Sequence, residues 1–360
     1  MAMTEGSTAP EAAAAPMAPL VIGGVVCDPP VVLAPMAAIT NPPFRLICRS
    51  MGAGLVVTEM MSAEGLAHRG KKTLEMLDIR PDEHPVSVQI YGKHPEMMAR
   101  AAAVIEDAGA DMVDINMGCP MRKVVSSGHG AALLLDPSKV YRIIKAMTEA
   151  VSIPVTAKIR AGFEDSNAAT VARAVEDAGG AAVTIHGRTR REMFEGHPDL
   201  AVIAELEETV SIPVIGNGDV RDVASALAMM GQTGCAGVMV ARGCMGYPWI
   251  FRELNAAFAG LPIPPPPTLE ERREVVREHA RLYAETYGER RTVLEIRKHL
   301  LWYFRQTPGE EALKAAMAGL ATMGAVYDAI DVAVEVCAAA EGTFAYPRGL
   351  ERHPNRRPST

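Results

Sequence analysis

Eight short β-branched runs, separated by stretches with helical spacing, constrain this chain more than any other feature. They are Val31–Pro35, Leu55–Thr58, Val86–Ile90, Met112–Ile115, Val155–Ile159, Ala182–Ile185, Val214–Ile215 and Gly237–Val240. Short runs this apolar suit strands buried on both faces, as in a parallel sheet covered by helices. Between them lie amphipathic segments such as Pro95–Ala108, Ser138–Ala150, Ala168–Ala178 and Val223–Met230. Two of these run into a glycine, Gly109 and Gly179, which can take the left-handed backbone that stops a helix. Val-Ser-Ile-Pro-Val occurs twice, at 151–155 and 210–214, as a matching lead into strands five and seven. Eight βα units in roughly 230 residues fit an α/β chain closed into a (β/α)8 TIM barrel better than an open doubly wound sheet. No strand is followed by Gly-x-Gly-x-x-Gly, which weighs against a Rossmann domain.

A proline run, Leu261-Pro262-Ile263-Pro264-Pro265-Pro266-Pro267, ends this pattern, because it cannot continue a helix and stiffens into a spacer. Beyond it the spacing predicts helices over Leu269–Tyr287, Thr292–Gln306, Glu310–Met323 and Val326–Ala340, a small all-helical bundle. The expected organisation is an Ala/Pro-rich disordered extension (1–18), the barrel (19–260), the linker (261–268), the helical domain (269–343) and a disordered basic tail (344–360). Six scattered cysteines without Cys-x-x-Cys argue for reduced thiols and no metal site. No apolar run is long enough to span a membrane, so the expected location is cytoplasmic. The net charge of −7 disfavours a wholly basic nucleic-acid binder, yet RNA contact needs only a local basic face.

In a barrel of this kind, chemistry sits at the C-terminal ends of the strands. Strand one ends at Ala34-Pro35-Met36-Ala37, and strand three ends near Gln89. Strand four leads through Asn116 and Gly118 to Cys119, pinned by Pro120, and strand five ends in Lys158-Ile159-Arg160. Strands six, seven and eight run into His186-Gly187-Arg188, Asn217-Gly218-Asp219 and Ala241-Arg242-Gly243. Each has an ordinary reading. Cys119 can be a small buried hydrophobe, the His a locally satisfied side chain, and the glycines turn residues. Their convergence on one crevice is harder to explain that way. The loops after strands seven and eight are the usual phosphate site of this barrel, where glycine N–H groups donate to a dianion. FMN fits this layout, with its phosphate there and its ring against Met36 and Ala37. Gln89 then offers a donor and an acceptor to the pyrimidine edge, and Lys158 a charge near N1 of the ring.

These residues resemble the tRNA-dihydrouridine synthases, most of all the bacterial B-type subgroup. The resemblance rests on Ala34–Ala37 with Asn41-Pro42-Pro43-Phe44-Arg45, Thr58-Glu59-Met60-Met61, Asp114–Pro120 and Gly130-Ala131-Ala132-Leu133-Leu134. Lys158-Ile159-Arg160, the segment from His186 to Arg190, Asn217-Gly218-Asp219 and Tyr247-Pro248-Trp249-Ile250-Phe251 follow in family order. Arg297-Lys298-His299 with Trp302-Tyr303 resembles the B-type RNA-binding module, so the match runs from about Leu20 to Met323. It implies a TIM barrel that takes hydride from NADPH, or NADH, onto FMN and passes it to C6 of a tRNA uridine. Cys119 would then give a proton to C5. A D-loop uridine is the implied target, position 17 being the expectation for this subgroup. Flavin contacts are implied at Pro35, Met36, Ala37, Gln89, Lys158, His186, Asn217, Gly218, Asp219, Ala241 and Arg242. Asn116, Arg160 and Arg188 are expected on the uracil or RNA side. His129 departs from the family pattern, standing where a small residue is expected in the loop after Cys119.

Two other readings stay open at this level: a barrel flavoenzyme acting on a free pyrimidine, and a non-catalytic RNA-binding regulator. No obligate protein partner is expected. Around the helix expected at Thr292–Gln306, Arg291, Lys298 and Arg305 recur every seven residues, flanked by Arg290 and Arg297. The ordinary reading is a solvated face balanced by Glu289 and Glu295, but because the stripe coincides with the B-type Arg-Lys-His signature, Arg290, Arg297 and Lys298 are expected to contact RNA.

Overall fold

The computed structural model describes residues 16–340 and Gly342, so most of the expected extension and basic tail lies outside the described residues. Eight parallel strands close into a barrel: Val31–Leu33, Leu55–Val57, Val86–Tyr91, Met112–Met117, Val155–Arg160, Ala182–His186, Val214–Asn217 and Gly237–Val240. Closure comes from strand eight pairing with strand one, Val240 beside Leu33, and strand two with strand three, Val56 beside Val86. A hairpin, Leu20–Ile22 with Val25–Cys27, precedes the barrel. Each arm has only three residues, too few for a strand alternation to stand out in the sequence.

The two sides of each strand separate into two apolar clusters, as the period of two requires. Val113, Ile115, Ala157, Ile159, Val183 and Ile185 face the helices, packing with Ile105, Ile143, Ile144 and Val171. Met112, Ala182, Ile215, Met239, Val32 and Leu55 fill the interior, with hairpin residues Leu20, Ile22 and Cys27. Each Val, Leu, Ile or Met among them contributes roughly 1.5–3 kcal/mol by leaving water. Further along the same inward faces the residues become polar. Asp114 and Asn116 follow Met112, Thr184 and His186 follow Ala182, and Asn217 follows Ile215. The lower interior stabilises the barrel, and the mouth gives up that contribution.

Helix signals behave as their chemistry dictates. Asn41 and Asp136 cap the helices Pro42–Ser50 and Pro137–Thr148, and Gly109 and Gly179 adopt φ of 86° and 89° after theirs. Beyond the prolines, Thr268 and Glu271 form a capping box for Leu269–Tyr287. The single helix expected over Thr292–Gln306 is instead two, Glu289–Glu295 and Arg297–Tyr303. At the break the Val293 carbonyl accepts from Arg297 Nε at 2.8 Å, where a continuous helix would use a backbone N–H. The expected Glu310–Met323 helix ends sooner, as Pro308–Ala316 with a 3-10 turn, and the last helix is Met323–Ala339.

The helical part packs on the barrel through buried aromatic and polar groups. Phe44 stacks on His279 at 5.6 Å, His279 meets His299 at 4.7 Å, and Asn41 donates to the Tyr283 hydroxyl at 2.9 Å. Burial pushes His279 down to about 3, so both imidazoles pack here as neutral rings. Arg45 is 1% exposed and paired with Glu83 at 2.6 Å behind this contact. Among the described residues no helix is long and apolar enough to cross a membrane.

Candidate active site

One crevice at the C-terminal ends of the strands collects most of the residues singled out above. Pro35, Met36 and Ala37 form one wall, with Ile39 and Met60 beside them. Gln89, Asn116, Cys119, Lys158 and Arg160 come from strands three to five, His186 from six, and Asn217, Gly218, Asp219, Ala241 and Arg242 from seven and eight. Register sets the juxtapositions: Asn116 lies beside Lys158, and His186 lies between Arg160 and Asn217.

Lys158 donates to Asn217 Oδ1 at 2.9 Å, and Asn217 Nδ2 reaches the Met239 carbonyl at 2.8 Å. Burial, with repulsion from Arg160, pushes the Lys158 amine down to about 8, while Asp114 works in the opposite direction. His186 is held well below its ordinary range, first by burial and then by Arg160, Lys158, Arg188 and Arg242, so it is neutral. Its Nε2 accepts from Arg188 at 3.2 Å, which leaves the proton on Nδ1.

Cys119 is the one half-buried cysteine beside five buried ones. Burial raises its thiol above the ordinary value, outweighing a Met121 N–H and the charge of Arg160. Arg122 and Lys123, the basic residues that follow it in sequence, are exposed. The thiol therefore keeps its proton at neutral pH, as an acid requires. The loop behind it folds back tightly, with Ala131 N–H donating to the Cys119 carbonyl at 3.1 Å. Gly130 has φ of 59°, and a Cβ there would sit 2.9 Å from that same carbonyl oxygen. His129 stands outside the crevice, half-buried and edge-on to Tyr91 at 5.6 Å.

Charge is unbalanced where strands six, seven and eight end. Arg188, Arg221 and Arg242 all reach Asp219, at 2.6, 3.1 and 3.0 Å. Burial alone would raise Asp219, but these three cations hold it below the usual carboxylate range. Three guanidinium groups against one carboxylate leave a surplus of positive charge suited to an anion. Gly218 and Gly243 have a simpler explanation than anion contact. A Cβ on Gly218 would lie 2.8 Å from Pro198, and one on Gly243 2.5 Å from the Val220 carbonyl.

Two residues expected on the RNA side are enclosed. Arg188 is 1% exposed and also bonds the Glu195 and Gly196 carbonyls. Arg160 is 2% exposed, and it ties the Gly118 carbonyl (2.7 Å) to those of Thr189 and Met193 (2.9 and 2.7 Å). Arg297, Lys298 and Arg290 lie outside the crevice lining. Arg297 is half-buried on the Val293 and Leu320 carbonyls, Lys298 donates to the Ala38 carbonyl, and Arg290 is exposed. Sequence reasoning missed Arg221, Glu59 and Phe194. Phe194 lines the crevice with Arg160 and Arg242 over its ring at 5.3 and 5.8 Å. An aromatic inside the charged stretch Arg190–Glu195 was the available signal. Glu59 accepts from Ala38 N–H, and Ala38, Met193 and Asp219 all hold left-handed backbone in mouth loops. Strain of this kind collects at functional sites.

Known proteins resemble this chain over most of its length. A family model described as dihydrouridine synthase matches residues 32–339. A probable tRNA-dihydrouridine synthase of Mycobacterium tuberculosis is 40% identical over 361 residues, covering 95% of this chain and 91% of the relative. The tRNA-dihydrouridine synthase B of Xanthomonas axonopodis is 39% identical over 298 residues, 82% of this chain and 90% of the relative. Among solved structures, a 2-naphthoyl-CoA reductase complex superposes with a TM-score of 0.54 at 12% identity, covering 68% of this chain. The chain spans about half that protein's length (52%), and the likeness speaks to the fold alone. The chain belongs to the dihydrouridine synthase family.

Proposed function

We propose that this protein reduces one D-loop uridine of tRNA to 5,6-dihydrouridine, with FMN as resident cofactor and NADPH, or NADH, as reductant. The residues present fit FMN. The surplus of positive charge around Asp219 suits its phosphate, and Pro35, Met36 and Ala37 offer an apolar wall to its ring. Lys158, fixed by Asn217, supplies a positive charge in the same crevice. When bound, FMN supplies the hydride that saturates the pyrimidine at C6.

The chain itself must then deliver a proton to C5. Cys119 Sγ holds that proton, since burial keeps the thiol protonated while leaving it half-exposed in the crevice. Asn116 fixes the backbone carrying it, accepting from Cys119 N–H at 2.9 Å. His186, neutral and held by Arg188, is a hydrogen-bonding group here and no reservoir of charge. A base inside a folded tRNA cannot reach this depth without leaving its stack, so the uridine enters flipped.

The observation carrying the reading is that Cys119 and Lys158 line one crevice in a chain of this family. The test is incubation of the purified protein with unmodified tRNA, free uracil and orotate, each with NADPH, followed by mapping of dihydrouridine. Dihydrouridine confined to the tRNA D-loop supports the proposal. Reduction of the free pyrimidines alone, or of nothing by a correctly folded flavoprotein, overturns it.

A further inference from the structure

A buried carboxylate, Asp114, lies two residues before Asn116 on the same inward face of strand four and is 6% exposed. It takes no place in the reaction described above. Its Oδ1 accepts from the Thr156 hydroxyl and its Oδ2 from Gln89 Nε2, both at 2.7 Å. Gln89 Oε1 accepts from Asn116 Nδ2 at 2.8 Å, and Asn116 Oδ1 accepts from the N–H groups of Gly118 and Cys119 at 3.3 and 2.9 Å. Gln89 is 1% and Asn116 8% exposed, so water cannot readily replace a mismatched partner.

The chain of bonds has a direction. Backbone N–H groups can only donate, so the loop end demands the oxygen of Asn116. That turns Nδ2 toward Gln89, which must answer with its oxygen and send its own NH2 on toward strand four. The chain closes only if the residue waiting there accepts. A carboxylate does so whether ionised or protonated, because one oxygen always keeps its lone pairs. Flipping either amide sets donor against donor at one link, and a buried unpaired donor is costly.

We infer that Asp114 is a positioning residue: through Gln89 and Asn116 it fixes which way two crevice amides point and holds the loop carrying Cys119. This deepens the reading above, since it concerns how the proposed proton donor is held. Gln89 has one N–H and one lone pair left for a ligand, with their directions already assigned.

The experiment labels Cys119 with iodoacetamide in the full-length protein, locating the label by mass spectrometry and following rate against pH. The other five cysteines are buried, which favours this thiol. Asp114→Val removes the acceptor and leaves Gln89 unanswered. The loop loosens, labelling accelerates about fivefold or more, the scale of one lost hydrogen bond, and the pH midpoint falls as the thiol becomes hydrated. Asp114→Asn restores slow labelling, because its oxygen still accepts from Gln89 while its NH2 donates to Thr156. Where Asp114→Val does not fold, Gln89→Met cuts the same chain and accelerates labelling likewise. Wild-type labelling in Asp114→Val or Gln89→Met overturns the inference, as does Asp114→Asn labelling as fast as Asp114→Val. Failure of the proton-donor reading is seen separately, as Cys119→Ala protein that still reduces uridine, and leaves the labelling comparison intact.

Discussion

Arginines occur in quantity both at the barrel mouth and on the helical part, but in opposite physical settings. On the helical part they form exposed ladders: Arg281 with Glu278 at 2.6 Å, Arg277 with Asp331 at 2.8 Å, Arg291 with Glu295 at 2.8 Å. Each of these guanidinium groups is 40–54% exposed, and such pairs contribute about 0–1 kcal/mol. At the mouth Arg188 and Arg160 are almost wholly enclosed, and three arginines share one carboxylate. Burying charge without matching countercharge costs stability, and the loop carbonyls that Arg160 and Arg188 hold offset that cost only in part. Cations held at that cost mark a binding site, whereas cations in balanced surface pairs mark a solvated face until binding shows otherwise.

The largest effect expected is at the mouth. Cys119→Ala should keep its flavin and still oxidise NADPH, while dihydrouridine formation falls at least about a hundredfold, the scale of losing a positioned acid. Near-wild-type modification would return Cys119 to being a small packing residue. Lys158→Met should follow, with weaker flavin binding and roughly tenfold or greater slowing of flavin reduction, by loss of a preorganised charge. An unchanged rate and affinity would remove Lys158 from the site.

The same lysine makes activity and stability respond to pH in opposite directions. In the unfolded chain its amine keeps a proton to about pH 10.4, but in the fold only to about 8. Between those values the unfolded chain binds more protons, so this group's contribution to stability rises with pH, and below pH 8 its burial cost is fully felt. Flavin-free Lys158→Met should therefore melt above the flavin-free wild type at pH 7, with the gap closing toward pH 10.4. Flavin reduction by the wild type should instead decline as pH rises through 8, and the variant should lose that step. Melting curves that run parallel at all pH values would show that the amine is not buried at a cost.

The contrast also explains what was legible in the sequence. Strand runs such as Val86–Ile90 and strand ends such as Asn217-Gly218-Asp219 are set by local alternation and turn chemistry, which a linear pattern carries. The strand-end residues thus could be placed on one crevice before any contact was known. Partner choice depends on distances across the mouth and was not legible. Asp219 was read as a flavin contact, and only the fold shows three arginines converging on it. The sequence offers the donor and acceptor of Gln89 to a pyrimidine edge, and only the fold shows that each end of its amide is also held by one protein bond. The helical face misled for a related reason. A seven-residue repeat assumes one continuous helix, and the chain breaks at Ile296, between Arg291 and Lys298.

That break decides how RNA contact should be tested. Reversing Arg290, Arg297 and Lys298 together would confound three roles. Arg297 holds the Val293 and Leu320 carbonyls, so its loss disturbs the helical fold itself. Lys298 donates to the carbonyl of Ala38, whose N–H Glu59 holds, directly after the Met36–Ala37 wall of the crevice. Lys298→Glu would set a carboxylate against that carbonyl and near Glu59, and should lower flavin content even without RNA. Of these three, only Arg290 is exposed, and it holds no carbonyl of the fold as the other two do. Arg290→Glu should leave flavin content, melting temperature and NADPH oxidation as they are. Apparent tRNA affinity should weaken modestly, and the slope of log affinity against log salt should flatten by about 0.9 for one lost phosphate contact. Affinity measured from low to moderate salt separates the cases. An unchanged slope with Arg290→Glu would leave this face a solvated one, and the tRNA path would then run over the mouth loops without it.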